Sequence, residues 1–261
     1  MTQVPATGRQ YLTEQQYATD RNLAARQAIY RFQVPQRHFW NETLELAALR
    51  GDETVLDVGC GNGAYLGALA QRGHRGLVVG MDLSPGMLAA ARTRSSDAQL
   101  MLGDAQTLPF ADATFDVVLA MHMLYYLPDR PLGIRELRRV TRPEGVTLVV
   151  TNSERHLREI DDLIVGAAGR SLPSNRLAFT LESGEPELRE SYRRVDRYDM
   201  PSELVITEVE PVVEYVRSMR AFVTDDRLGP VLDEVRNGVA GKIAENGALR
   251  VHTGAGCFVC R

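Results

Sequence analysis

The stretch that most constrains the fold is a short apolar run that ends in a glycine-rich turn and continues as a helix. Val55 to Val58 predicts a buried strand, Gly59-Cys60-Gly61-Asn62-Gly63 supplies the turn, and Ala64 to Gln71 follows with helical spacing. The missing side chains let a ligand approach the main chain, and the helix N-terminus offers free N–H groups. The turn therefore predicts a site for a nucleotide-like ligand.

The alternation of strand and helix continues beyond this turn. Strands are predicted at residues 77–81, 98–102, 115–120 and 146–150, and helices at residues 84–94 and 129–141. Such alternation is typical of a doubly wound parallel sheet, whose ligands bind at the carboxyl ends of the strands. We expect an α/β, Rossmann-like fold with a mostly parallel, seven-stranded sheet that includes an antiparallel C-terminal strand.

The segments on either side of this core predict coverings for the site. Residues 1–50 are expected to form an N-terminal helical cap, in which Thr13 to Phe39 is predicted as helical. Residues 51–152 form the expected ligand-binding core, and residues 153–261 a helical insert followed by strands that complete the sheet. The interpretation is one structural domain with a lid.

The C-terminal residues carry two further signals. Leu249 to Cys260 predicts a hairpin around Gly254. Cys257 and Cys260 have C-x-x-C spacing, but one such pair without a second pair or a histidine cluster is weak support for zinc. We expect a structural role for these cysteines and no metal.

The charge balance and the first residues restrict the partners and the compartment. Thirty basic and 34 acidic residues give a net charge of −4, which disfavours a surface that neutralises phosphates. Met1 to Gln10 lacks the charged start and apolar run of a signal peptide, and no segment reaches membrane-spanning length. We expect a cytoplasmic monomer or homodimer that binds neither nucleic acid nor membrane.

The glycine turn by itself does not define the ligand. Gly59, Gly61 and Ala64 also satisfy the relaxed dinucleotide fingerprint, and Asp82 sits where an acidic residue would bind a ribose. Asp57, however, lies just before the turn, where its carboxylate would face a pyrophosphate unfavourably. Asp57 therefore favours a ligand with a sulfonium or an ammonium group.

The end of the third predicted strand points to adenosine without phosphates. Gly103-Asp104-Ala105 places a carboxylate there that can accept a hydrogen bond from an adenine amino group. Met101 and Leu102 are expected to sandwich the ring.

An ordinary helix cap is the alternative interpretation of Asp82, which precedes the helix that Pro85 begins.

Three blocks recur in order along the core. They are Val55-Leu56-Asp57-Val58-Gly59-Cys60-Gly61-Asn62-Gly63, Met81-Asp82-Leu83-Ser84-Pro85-Gly86-Met87 and Gly103-Asp104-Ala105. Together they resemble the class I S-adenosylmethionine methyltransferases, most closely the ubiquinone-biosynthesis-like, or type 11, branch. Phe115 to Val118 and Leu137 to Gly145 extend the resemblance, which covers roughly residues 54–151. Glu144 departs from it, because the family usually has a second glycine there.

The resemblance implies S-adenosylmethionine as cofactor and S-adenosylhomocysteine as product. It implies that Gly59 and Gly61 line the methionine part and that Asp82 accepts both ribose hydroxyls. Asp104 would hold the adenine amine, with Leu83 and Ala105 beside the base. The full set expected around the cofactor is Asp57, Gly59, Cys60, Gly61, Asn62, Asp82, Leu83, Met87, Asp104, Ala105, Met121, Tyr17 and Arg26.

Transfer of a methyl group from a sulfonium requires alignment in a dry site and few catalytic residues. If the acceptor must lose a proton, His122, just past the fourth strand, is the first candidate and His156 is the second. A packing role or a contact to the cofactor is the alternative for His122, and a solvated helix position for His156. The expected substrate pocket comprises Tyr11, Tyr17, His122, Tyr125, Tyr126, His156 and Phe179.

The hypothesis is a methyltransferase that acts on oxygen, nitrogen or carbon of a small-molecule acceptor by in-line displacement, with secondary metabolism as one expected setting. Three alternatives stay open: a regulatory protein that binds S-adenosylmethionine without turnover, a nicotinamide-dependent oxidoreductase and an RNA methyltransferase. The sequence leaves the acceptor and the methylated atom open.

Overall fold

The described strands form one sheet, and helices cover both of its faces. The computed structural model describes residues 8–169, 178–219 and 225–261. The strands are β1 (Gln33–Val34), β2 (Val55–Val58), β3 (Val78–Asp82), β4 (Gln99–Leu102), β5 (Phe115–Met121), β6 (Thr141–Asn152), β7 (Val195–Ile206) and β8 (Leu249–Cys260). The helices are α1 (Arg9–Tyr11), α2 (Arg21–Ala28), α3 (Phe39–Glu45), α4 (Ala64–Gln71), α5 (Pro85–Arg94), α6 (Arg130–Val140), α7 (Arg158–Ala168), α8 (Gly184–Arg189), α9 (Glu210–Arg217) and α10 (Asp225–Asn246).

The sheet has the strand order β1-β7-β8-β6-β5-β2-β3-β4. The five strands from β4 to β6 are parallel, and β2 lies at their centre, with Val55 opposite both Val78 of β3 and Val117 of β5. Leu56 packs with α6 on one face, whereas Val55 packs with α3 and α4 on the other. This arrangement confirms the α/β, Rossmann-like prediction and aligns the carboxyl ends of five strands at one edge.

The described part of the sheet has eight strands, not the predicted seven. The additional strand is β1, whose two residues pair antiparallel with β7 through Gln33 and Leu204. The predicted hairpin in the last segment is wrong, because β8 is one strand that pairs antiparallel with β6 and β7. Gly254 of β8 pairs with Pro201 of β7. A Cβ at position 254 would collide with the Ser153 side chain, which favours glycine there. The glycine signal thus came from packing, not from a turn.

The N-terminal segment is only partly helical over the predicted range from Thr13 to Phe39. A π-helical turn follows α1, then come α2, a 3-10 turn, β1 and α3. Regular helix does not continue directly after this π turn. The Tyr17 carbonyl there takes part in a tertiary hydrogen bond, which it accepts from the Ser84 hydroxyl at 2.6 Å. The prediction for Met1 to Gln10 lies mostly outside the described residues.

The C-terminal region packs three helices against the ends of β7 and β8. Helices α7, α9 and α10 share a buried apolar cluster with these strands and with Ile29 of the N-terminal segment. None of the described helices combines the length and apolar character needed to cross a membrane. Cys257 and Cys260 are buried free thiols that belong to different clusters on opposite faces of the sheet, so they cannot converge on one metal ion.

Candidate functional site

The carboxyl ends of the parallel strands open into a cavity of about 690 Å³, within the size range of small-molecule sites. The predicted site residues that line it are Tyr11, Tyr17, Arg26, Asp57, Gly59, Cys60, Gly61, Asn62, Asp82, Leu83, Met87, Asp104, Ala105, Met121, His122, Tyr125, Tyr126 and His156. The N-terminal segment and the residues after β6 form the opposite wall. The structure thus brings nearly all of them together.

Three residues expected in the pocket lie outside it. Phe179 is 1% exposed and packs edge-on against Phe258 in the main core. Met101 also packs against the main core, and Leu102, at the end of the outermost strand, is 53% exposed. The expectation that these two residues sandwich an adenine ring is therefore corrected.

The glycine turn wraps around the end of β3. Gly59 and Gly61 have φ angles of +70° and +54°, which residues with side chains rarely adopt. The Gly59 N–H donates to the Met81 carbonyl at 2.7 Å, and the Gly61 N–H donates to Asp82 Oδ2 at 2.8 Å. These bonds leave the main chain of the turn against the cavity without intervening side chains.

Asp57 is buried and has no hydrogen-bond partner among the described residues. It is 1% exposed, and neither of its oxygens accepts a hydrogen bond from any described residue. Burial, with a smaller contribution from the charge of Asp82, raises the pKa of Asp57 to about 8. A buried carboxylate of this kind is stabilised only by protonation or by a cation in the cavity.

Asp82 is anchored by the backbone at the end of β3. Its Oδ2 accepts from Gly61, as above, and its Oδ1 accepts from the Ser84 N–H at 2.8 Å. Burial raises the pKa of Asp82, while these donors oppose the rise. The N-cap of α5 is Ser84, whose hydroxyl accepts from the Met87 N–H at 3.2 Å. Asp82 is therefore not the helix cap, and its remaining lone pairs face the cavity.

Asp104 follows β4, one strand further along the same edge of the sheet. Its Oδ1 accepts from the Gln106 N–H at 2.9 Å and from Gln106 Nε2 at 3.2 Å. Arg9 of α1 approaches its Oδ2 at 4.0 Å. Leu83, Asp104 and Ala105 all line the cavity. They supply a carboxylate acceptor and two apolar side chains to its wall.

Arg26 of α2 is a cation in the cavity wall. Its Nε donates to Ser218 Oγ at 3.1 Å, its Nη2 to the Ser218 carbonyl at 3.0 Å, and its Nη1 to the Tyr17 hydroxyl at 3.1 Å. The Tyr17 hydroxyl also shares a 2.8 Å hydrogen bond with the Tyr126 hydroxyl. These neighbours are neutral, and no described carboxylate pairs with Arg26. The guanidinium can therefore bind an anion in the cavity.

His122 follows β5 directly and adopts a φ of +56°. Its ring stacks on Phe39, with centroids 6.0 Å apart. Burial lowers the pKa of His122 to about 4, so the imidazole is neutral near pH 7. No side-chain hydrogen bond to a described residue occupies the ring. A nitrogen lone pair can therefore accept a proton from a ligand.

His156 differs from His122 because both of its ring nitrogens are engaged. The Gly254 N–H donates to Nδ1 at 3.2 Å, and a 3.0 Å bond joins Nε2 to the Tyr30 hydroxyl. Nδ1 must carry the lone pair, so the proton of the neutral ring lies on Nε2 and is donated to Tyr30. His156 is 8% exposed and is not a solvated helix residue. Its bonds suit the orientation of Tyr30 and leave no lone pair for a substrate.

Several residues that line the cavity or contact its lining had not been predicted. Asn152, at the end of β6, could have been found from its position after a predicted strand, and its Oδ1 is buried without a partner among the described residues. Tyr30 and Phe39 gave only a general aromatic signal. Ser218 follows α9 and carries no local signal at all, since it reaches Arg26 only through the tertiary fold.

Comparisons with known proteins agree with this geometry. Residues 56–149 match a family profile described as a methyltransferase domain. The malonyl-[acyl-carrier protein] O-methyltransferase of Serratia marcescens is 36% identical over 127 residues, which are 49% of this chain and 49% of that protein. The protein of the same description from Erwinia billingiae is 31% identical over 175 residues, 60% of this chain and 69% of that protein. The chain spans about half the length of most of the curated relatives it matches.

A solved structure shares the fold. A putative methyltransferase from Bacillus halodurans superposes with a TM-score of 0.59 at 20% identity, covering 85% of this chain and 97% of that chain. The sequence matches confirm the resemblance stated from the three blocks. The chain belongs to the class I S-adenosylmethionine-dependent methyltransferases, in the type 11 branch, and its cofactor is S-adenosylmethionine.

Proposed function

We propose that this chain transfers the methyl group of S-adenosylmethionine to a small-molecule acceptor. The observation that carries the proposal is one cavity that holds both Asp57, whose carboxyl group has no hydrogen-bond partner among the described residues, and Arg26, whose positive charge no described carboxylate neutralises. The methionine part of the cofactor has an ammonium and a carboxylate, which complement these two charges. Asp57 would instead repel the pyrophosphate of a nicotinamide cofactor.

The remaining cofactor contacts follow the strand ends. Asp82, held by Gly61 and Ser84, has lone pairs for the two ribose hydroxyls. Asp104 is placed to accept a hydrogen bond from the adenine amine, with Leu83 and Ala105 on either side of the ring. Cys60, Asn62, Met87 and Met121 complete the walls. These residues fit the cofactor from adenine to methionine.

His122 is the proposed general base. When bound, the cofactor supplies an electrophilic methyl on a sulfonium, whose S–CH₃ bond breaks with the electron pair left on sulfur. The neutral imidazole of His122 takes the proton of an acceptor hydroxyl or amine as the new bond to the methyl forms. His156 acts indirectly, by orienting Tyr30 in the cavity wall.

The acceptor would occupy the part of the cavity away from the glycine turn. Phe39, Trp40, Tyr125 and Met200 line the cavity and suit a modest-sized, partly apolar molecule. The cap formed by residues 8–50 and the segments after β6 would enclose it and exclude water. An acyl group on a carrier protein is the second candidate, because two relatives are named for such an acceptor.

The test is production of S-adenosylhomocysteine by the purified chain with panels of phenols, amines, carboxylic acids and acyl-carrier proteins. Asp97→Ala, an exposed carboxylate outside the cavity, is the matched control for Asp57→Asn. We expect product that depends on one acceptor class and on Asp57, but not on Asp97. Cofactor binding without product from any class would favour the regulatory alternative. Product only with RNA would favour the RNA methyltransferase.

A further inference from the structure

Ser218 fixes the direction of the Arg26 side chain. It follows the last residue of α9 and is 2% exposed. Its hydroxyl proton is donated to the Tyr215 carbonyl at 2.6 Å, so the Oγ lone pairs are left to accept the Arg26 Nε proton at 3.1 Å. Its carbonyl accepts from Arg26 Nη2 at 3.0 Å. One residue thus binds the whole Nε–Nη2 edge of the guanidinium.

Neighbouring groups strengthen this arrangement. Gln16, which is 4% exposed, donates to the same Ser218 carbonyl at 3.3 Å, and its Oε1 accepts from the Tyr11 hydroxyl at 2.7 Å. Tyr17 receives the third proton of Arg26 through Nη1. Described residues therefore use three of the five N–H donors of the guanidinium and leave two for a ligand.

We propose that Ser218 is a positioning residue that aims Arg26 at the methionine carboxylate of the cofactor. This inference rests on the proposed function and deepens it, since it makes the end of α9 part of the cofactor site. Without the Ser218 hydroxyl, Nε loses its acceptor and the guanidinium can rotate away from the ligand. The carboxylate is then recognised less well, while the adenosine contacts at Asp82 and Asp104 are unchanged.

The experiment compares two ligands that differ only in this carboxylate. S-adenosylhomocysteine and its decarboxylated analogue are titrated calorimetrically into the full chain and into Ser218→Ala and Ser218→Thr. We expect Ser218→Ala to weaken the first ligand about tenfold and the analogue by less than about twofold. Ser218→Thr, which keeps the hydroxyl, should restore most of the difference between the ligands.

A second serine serves as the matched control. Ser183 is exposed, accepts a hydrogen bond from the Thr180 N–H at 3.1 Å and lies outside the cavity, so Ser183→Ala should change neither affinity. Thermal unfolding of each variant establishes that it is folded. The ratio of the two affinities is internal to each variant, so it reports on the carboxylate even where the variant is less stable.

Two results would overturn the positioning role of Ser218 alone. One is an equal loss of both ligands in Ser218→Ala, which indicates a general structural effect. The other is that the unmodified chain prefers the ligand with the carboxylate and Ser218→Ala keeps the same ratio of the two affinities. If the unmodified chain binds both ligands equally, the role of Arg26 in the proposed function fails, and that of Ser218 with it. A variant that alters only the KM of the acceptor would assign Arg26 to an acceptor carboxylate and overturn the inference.

Discussion

Asp57 and Asp82 lie at the carboxyl ends of the neighbouring parallel strands β2 and β3, and the charge of Asp82 adds to burial in raising the pKa of Asp57 to about 8. Asp57 is therefore mostly protonated at pH 7 while the cavity holds no cation. The ammonium and sulfonium of the cofactor would lower this pKa.

The first prediction is that cofactor binding near pH 7 releases up to about one proton from Asp57. The measurement is the apparent enthalpy of S-adenosylmethionine binding in phosphate and in Tris, which differ in their enthalpy of ionisation. The two enthalpies should differ for the unmodified chain and agree for Asp57→Asn. Equal enthalpies for the unmodified chain would show that Asp57 keeps its proton, and would contradict its role as counter-charge.

The second prediction concerns stability. Because the folded pKa of Asp57 is raised from 3.8 to about 8, the folded chain holds a proton that the unfolded chain loses, and stability falls as pH rises through this window. Asp57→Asn removes this penalty. We expect the variant to raise the free energy of unfolding by a few kcal/mol at pH 8.5 and to have little effect of this origin below pH 4. Urea unfolding at both pH values measures the free energy of unfolding. An increase in Asp57→Asn that does not depend on pH would show that the Asp57 proton is not its cause.

The third prediction concerns the ribose and adenine carboxylates. Asp82→Ala and Asp104→Ala should each weaken S-adenosylhomocysteine binding by roughly 10- to 100-fold, because each removes a charged acceptor. Both variants should remain folded, with Asp97→Ala as the exposed control. Calorimetric affinities equal to that of the unmodified chain in both variants would reject these roles.

The fourth prediction separates the two histidines. His122→Gln should lower kcat by roughly 10²- to 10⁴-fold for an acceptor that loses a proton, whereas His156→Gln should act mainly on the KM of the acceptor through Tyr30. Since the pKa of His122 is about 4, kcat/KM of the unmodified chain should rise through pH 4 and stay level near pH 6.5. An unchanged kcat in His122→Gln would show that a group other than His122 takes the proton.

The fifth prediction tests the packing of the glycine turn. Gly63 has a φ of +78°, and a Cβ there would lie 2.9 Å from the Cα of Ala91 in α5. Gly73 has a φ of +69° but nothing within 4 Å. Gly73→Ala should cost about 1 kcal/mol of unfolding free energy from the backbone alone, and Gly63→Ala at least about 3 kcal/mol. Equal losses would show that the helices separate freely at this contact.

The sequence predicted the parts of the molecule that depend on local order. Apolar runs that alternate with helical spacing defined β2 to β6, and the carboxyl ends of parallel strands meet at one edge, so Asp57, Asp82 and Asp104 converge as expected. The polar residues at these strand ends could be identified from the sequence, because ligands of doubly wound sheets bind at the carboxyl ends of the strands.

Other features depend on contacts between distant segments and had no local signal. The N-terminal segment was predicted as helical from its local pattern, but its Tyr17 carbonyl accepts a hydrogen bond from Ser84, and regular helix resumes only at Arg21. Phe179 gave the same aromatic signal as Tyr125, and only the tertiary packing separates a core residue from a cavity wall. The tautomer of His156 likewise follows from Gly254, far along the chain.

The assignment of the cavity to S-adenosylmethionine is tested by a calorimetric titration of the unmodified chain with S-adenosylmethionine, S-adenosylhomocysteine and NAD in parallel. We expect the first two ligands to bind and to compete for one site, and NAD to produce no binding heat. Binding of NAD together with no binding of the other two would contradict the assignment of Asp57 and Arg26 to the methionine part of the cofactor.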